Sequence, residues 1–358
     1  MFEADFSSVW SNANPYLGYK EKQQPAKRSR SKPPAATRGS GSSAGEVSVS
    51  GIEMSRSNKA RLKELLQARY PLTFILDALA CCTLATLLIY YAPVHGSSLY
   101  AVAAGFFEAK LGLIAHEASH GGAPRWLGWL YDCAMGSRSQ WIVKHNHGHH
   151  LVTNTLSDPD IQISPLMRIH PSQPRHPHHV FQHIFQFPLF SLLPFGLRIN
   201  GVIYLHKKGP LSEILLHWIL AFPATYLYLI RPYNLLGIPG LKYFALENFT
   251  VGIIYGCLFS VSHVNSLVMF DPPHSTLKER QLATTADWGV GSRVANYLTG
   301  GLNHQVVHHL HPSVSSYSYP EIARILKEEE EGYLDMGGTI LDALRSNVEY
   351  LRRVGNGK

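Results

Sequence analysis

Four stretches of this chain are about as long as a bilayer is thick, and nothing else in it limits the fold so strongly. An apolar helix needs roughly 20 residues to cross the hydrocarbon core, and the stretches 71–94, 98–120, 212–232 and 243–264 meet that need. The links 95–97 and 233–242 are short, so the spans read as two hairpins with a long polar and aromatic segment between them. A mean hydropathy near zero conceals this pattern, because a polar N-terminal stretch is averaged with a very apolar middle. The expected fold is an all-α integral membrane protein with four transmembrane helices.

Around the spans the chain divides into three parts. Residues 1–57 are rich in Ser, Pro, Gly, Lys and Arg without an apolar period, which reads as a disordered basic tail. Glu3, Asp5 and Glu21 argue against a transit peptide there. Residues 58–335 form the membrane domain, and 336–358 a C-terminal helix or tail. Lys and Arg crowd the approach to the first span and the connection between spans two and three, for example at Arg125, Arg138, Lys144 and Lys207. The positive-inside rule then places both termini and the middle segment on the cytosolic or stromal side. The stretches 126–137 and 180–197 are apolar but aromatic, and the second is Pro-broken, so they are expected to lie in the interface rather than cross. Cys81, Cys82, Cys133 and Cys257 lack finger or CxxC spacing and read as packing residues.

The 20 histidines concentrate where the apolar runs stop. "HEASH" puts His116 and His120 one helical turn apart at the cytosolic end of span two. "KHNHGHH" offers His145, His149 and His150, which share a helical face at spacings of four and five, and also His147. "NHQVVHHLHP" follows span four, and His263 sits at that span's end. All the dense clusters therefore fall on one side of the membrane and read as one metal site built from distant parts of the chain. At least eight histidine candidates suit two metals better than one, since zinc sites seldom take more than four protein ligands. By contrast, His95, His170, His176, His178, His179, His183, His206, His217 and His274 read as ordinary polar groups. Glu117, Asp158 and Asp160 are candidates for holding ligand N–H groups. Glu108 and Lys110 inside span two must face the protein or the headgroup region, paired with each other or with Asp77.

These residues resemble the membrane-bound fatty acid desaturases, which carry histidine boxes of the types HxxxH, HxxHH and (H/Q)xxHH around four spans. The first box is "HEASH" (116–120) and the third "QVVHH" (305–309), within "NYLTGGLNHQVVHHLHP". That stretch, with "SDPDI" at 157–161, is most similar to front-end acyl-lipid and sphingolipid desaturases, and the resemblance covers roughly 65–330. The chain departs from the pattern twice. The second box has an extra residue, so either His145 or His147 begins it, with His145 favoured for its helical face. The third can begin at Gln305 or at His304, which would otherwise be an outer-shell or surface residue.

The resemblance implies two Fe ions held by His116, His120, His145, His149, His150, His263, His308 and His309, with Gln305 contributing directly or through a water. It implies an O2-dependent enzyme that introduces a double bond into a fatty acyl or sphingoid chain. Hydroxylation, acetylenation or conjugation on the same scaffold is the alternative, and a zinc-dependent membrane hydrolase or metal transporter a third reading. The histidine-rich site would sit in a cytosolic helical cap. The implied partners are a lipid acyl chain, O2, membrane lipids and an electron donor, with no nucleic acid. No HPGG haem motif or convincing GxGxxG fingerprint occurs, so the expected donor is separate, either cytochrome b5 with its reductase or ferredoxin. The endoplasmic reticulum is the expected location, with a plastid membrane as the alternative.

Overall fold

The computed structural model describes residues 54–273 and 276–358. The expected tail lies outside them up to residue 53, as does His274. The helices run in the order α1 (Arg56–Leu66), α2 (Leu72–Tyr91), α3 (Ser98–His120), α4 (Gln182–Ser191), α5 (Leu193–Lys208), α6 (Leu211–Leu236), α7 (Leu241–Val261), α8 (Leu277–Thr284), α9 (Arg293–Thr299), α10 (Gln305–Leu310), α11 (Tyr319–Glu329) and α12 (Ile340–Gly355). No strand occurs among the described residues, and all four cysteines are free thiols.

Four helical segments are long and apolar enough to cross a membrane: α2, α3, α6, and Ile238–Val261, which includes α7. Their surfaces give the physical reason. Leu215, Ile219 and Phe222 of α6 are 54%, 68% and 62% exposed, a contiguous apolar face that is tolerable in lipid and not in water. The last span begins and ends earlier than the 243–264 read from hydropathy, so His263 stands just past its end.

The most enclosed span is α3, because small residues line it. A Cβ on Gly105 would lie 2.5 Å from the Glu247 carbonyl oxygen of α7, so glycine is what allows these two backbones to approach. Along α2, Phe74 and Ala78 pack against Ile114 and Ala118 of α3, and Ile89 meets Ala101 and Ala104. This crossing sets the His116 end of α3 beside the beginning of α2.

The region 180–197 is a sharply bent helix pair. Pro177–Ser191 and Leu193–Lys208 meet at 62° and together are long enough for a broken span, so length no longer separates an interfacial reading from a crossing one. Segment 336–358 belongs to the same compact unit as the spans. Its amphipathic α12 buries Ala343, Asn347, Leu351 and Val354, and Asn347 donates to the Val264 carbonyl at 2.7 Å.

Span polar groups find protein partners. Glu108 pairs with Arg198 at 3.2 Å rather than with Lys110, while Lys110 lies 3.8 Å from Asp77.

Candidate metal centre

Four parts of the fold bring eight imidazoles together. The last turn of α3 carries His116 and His120, whose ring centroids are 5.0 Å apart. The stretch Ile142–His149 winds as a π-helix, with the His150 N–H bonded to the His145 carbonyl. Its wider turn keeps residues five apart on one side, so His145, His149 and His150 are all buried. His147 is exposed, and it is His145 that lies within the cluster. Helix α10 supplies His308 and His309, and His263 enters from beyond α7.

The ring nitrogens sort into overlapping groups whose candidate ligand atoms lie within 4.8 Å of one another. His116, His120, His145 and His308 form one, and His149, His263 and His309 another. His150 lies between them with His308 and His309. Nε2 faces Nε2 at 2.9 Å for His116 and His145, and at 3.3 Å for both His149–His263 and His145–His150. A further group joins His145, His149 and Asp160.

The opposite ring nitrogens explain why Nε2 is turned inward. His149 Nδ1 donates to Asp158 at 3.0 Å, and His145 Nδ1 to Asp160 at 3.3 Å. His263 Nδ1 donates to the Thr284 carbonyl at 3.2 Å, and His309 Nδ1 to Gln281 Oε1 at 2.6 Å. Such partners fix the tautomer and leave the Nε2 lone pair for a metal. Trp141 stacks on His145 at 4.6 Å and helps to hold that ring.

Burial, then mutual repulsion, keeps His150, His263, His308 and His309 well below the ordinary histidine pKa. They are neutral near pH 7, the form in which an imidazole can bind a metal. His149 is the exception: burial opposes its charge, yet Asp158 and Asp160 raise it.

This donor set fits metal. The Nε2 atoms of His120, His308 and His309 and the Oε1 of Gln305 are buried with no hydrogen-bond partner among the described residues. An unpaired buried polar atom costs about 1–3 kcal/mol, and four around one cluster are better explained as ligands than as tolerated defects. The set is mainly nitrogen, with Asp160 at its edge.

The remaining expected residues separate clearly. Gln305 is in the cluster, its amide donating to His263 Nε2 at 2.8 Å. His304 is fully buried, not at the surface: its Nδ1 donates to Asn296 Oδ1 at 3.1 Å, and its Nε2 accepts from the Gly291 N–H at 3.2 Å. Glu117 holds no histidine. Its carboxylate accepts from Ser315 Oγ at 3.1 Å and from Ser316 N and Oγ at 2.9 and 2.6 Å, because the side chain leaves α3 on another face. Gln281 and the Thr284 carbonyl were not anticipated. The Thr276–Glu279 capping box signals the helix that carries them, but no motif aims Gln281 inward.

Comparison with known proteins concerns the chain as a whole. Residues 96–336, more than half of the chain, match the model of the family described as fatty acid desaturase. An acyl-lipid (8-3)-desaturase of Physcomitrium patens is 29% identical over 291 residues, covering 72% of this chain and 60% of that protein. An sn-1 linoleoyl-lipid 6-desaturase of Arthrospira platensis is 29% identical over 279 residues, covering 70% and 76%. An acyl-lipid (8-3)-desaturase of Mortierella alpina is 30% identical over 289 residues, covering 72% and 65%. The chain thus spans less than two thirds of the length of the first and third relatives. With apolar helices of membrane-crossing length and this histidine cluster in one chain, the match leads to one assignment: the protein belongs to the fatty acid desaturase family.

Proposed function

We propose that this protein is an O2-dependent lipid desaturase that introduces a double bond into a fatty acyl or sphingoid chain. The observation that carries the reading is the convergence of eight histidines, seven of them buried and His120 half-buried, from four segments of the chain. His116, His120, His145 and His308 would hold one iron, and His149, His263 and His309 the other, with His150 between them and Gln305 acting directly or through a water. Bound iron supplies the activation of dioxygen and the oxidation that removes two hydrogens from adjacent carbons.

The chain's own residues do the rest. Asp158, Asp160, Gln281 and the Thr284 carbonyl orient the imidazoles, and burial excludes water from the reacting carbons. The spans hold the acyl chain in register with the site, which is a matter of placement. We further assign the chain as two hairpins under a cytosolic cap, with 58–335 as the desaturase domain, both termini cytosolic and the endoplasmic reticulum as location. Its reducing equivalents would come from cytochrome b5 with its reductase, or from ferredoxin if the membrane is a plastid's.

Expression of the protein in a yeast lacking related activities, with lipid profiling by mass spectrometry and metal analysis of the purified protein, tests this. A lipid two mass units below an existing one, with iron bound, is the expected result. A product sixteen units heavier would establish hydroxylation instead, and zinc in place of iron would overturn the reading.

A further inference from the structure

The turn that follows the second histidine box buries a residue that no motif marks. Thr153 ends the short helical turn His150–Val152, and Asn154 after it has a φ of 56°, in the left-handed region. Asparagine enters that region at lower cost than most non-glycine residues, so the chain can reverse here and still carry a side chain. Asn154 is fully buried. Its carbonyl accepts from the Asp271 N–H at 3.1 Å, which ties the turn to the segment beyond α7.

The donors of Asn154 converge on one histidine group. Its backbone N–H donates to Asp158 Oδ2 at 2.8 Å, the oxygen that accepts from His149 Nδ1 at 3.0 Å. Its Nδ2 donates to the His263 carbonyl at 2.8 Å and lies 3.3 and 3.4 Å from the Met269 and Thr284 carbonyls. The Thr284 carbonyl is in turn the acceptor of His263 Nδ1 at 3.2 Å. One residue therefore touches the outer partners of both His149 and His263, whose Nε2 atoms face each other at 3.3 Å. With His309 these two make up one candidate ligand group. None of the groups that Asn154 bonds is, among the described residues, hydrogen-bonded to His116, His120 or His308 of the other group.

The other end of the amide shows what asparagine is needed for. Asn154 Oδ1 is buried with no partner among the described residues, which costs about 1–3 kcal/mol. Glycine would adopt the same backbone freely and bury no such oxygen. What glycine lacks is the Nδ2 donors. From this we propose that Asn154 is a positioning residue for one metal position only. It holds His149 and His263 in ligating orientation, so that without its amide the ion of the His149, His263 and His309 group is lost while the ion of the His116, His120, His145 and His308 group stays. The proposal rests on the two-metal reading of the site given above.

The test counts metal ions per chain, without turnover. The full chain purified in detergent is exposed to a chelator for timed intervals, and bound metal is measured by plasma mass spectrometry in wild type, Asn154→Gly, Asn154→Asp and Gly105→Ala. Gly keeps the left-handed backbone with its N–H and carbonyl contacts, and Asp keeps the shape but offers the His263 carbonyl no donor once ionised. Gly105→Ala loosens the α3–α7 contact about 16 Å along α3 from His116 and controls for general destabilisation, with thermal unfolding recorded for every variant. Both Asn154 variants should fall from two ions to one about tenfold sooner than wild type, the effect of removing an outer partner of a metal-bound histidine. They should then hold the remaining ion as wild type does, and Gly105→Ala should follow the wild-type course. Retention of both ions by either Asn154 variant overturns the proposal, as do simultaneous loss of both ions, equal loss from Gly105→Ala, or fewer than two ions in wild type. Zinc rather than iron in wild type would sink the desaturase reading, and the same counts would still decide the role of Asn154.

Discussion

Replacing Gln281 tests whether the outer partners of the histidines control metal retention. Gln281 is 1% exposed and makes three contacts. Its Oε1 accepts from His309 Nδ1 at 2.6 Å and from Thr153 Oγ1 at 3.2 Å, and its Nε2 donates to the His150 carbonyl at 2.5 Å. One side chain thus fixes two histidines whose rings stack at 4.1 Å. Gln281→Ala leaves these groups unpaired, at about 1–3 kcal/mol for each that water does not reach. It also frees the His309 ring to turn, and loss of such a partner typically lowers metal affinity about 10–100-fold. Gln281→Glu keeps an acceptor for His309 but presents none of the amide's donors to His150. The assay is iron content by plasma mass spectrometry after timed exposure to a chelator, with thermal unfolding in parallel to show that each variant is folded. Ala should lose iron well ahead of wild type, and Glu should lie between them. If Ala retains iron like wild type, or Ala and Glu behave alike, the orienting role assigned to Gln281 is wrong.

Other substitutions probe the same architecture. His145→Ala should abolish iron binding and His147→Ala should not, as metal content of the two proteins will show; loss with His147→Ala would restore the alternative start of the second box. His304→Ala should lower the unfolding midpoint while leaving iron bound, whereas Gln305→Ala should weaken iron retention with little change in midpoint, and the reverse pattern would shift the third box by one residue. Gly105→Ala must push α3 from α7, since its Cβ would meet the Glu247 carbonyl at 2.5 Å; overpacking of this kind costs about 1–3 kcal/mol, and an unchanged midpoint in detergent would refute the close approach. Burial raises the Asp287 carboxyl from 3.8 to about 7. The folded protein therefore keeps a proton that the unfolded chain has lost, so this group's stability contribution is fully present below about pH 4 and falls as pH rises to about 7. Asp287→Asn should flatten that slope in midpoints measured across the interval, and parallel slopes would show that Asp287 does not cause it.

The sequence alone determined the helical membrane class and the location of the spans, because a run of about 20 apolar residues is a local property that lipid reads directly. It also supplied the histidines that meet, since "HEASH" and "KHNHGHH" place imidazoles by helical pitch within a few residues. Tertiary structure decided what depends on contacts between distant segments. A π-turn, not spacing alone, carried His150 to the same side as His145 and left His147 outside. Packing around α10 assigned His304 to Asn296 and Gly291 while Gln305 entered the cluster. Glu117, next to a histidine in sequence, left α3 toward Ser315 and Ser316, and Gln281, with no motif to mark it, became the partner of His309. Periodicity specifies which face of a helix a residue occupies, but which neighbour meets that face is fixed only when the small residues of α3 allow α2 and α7 to close around it.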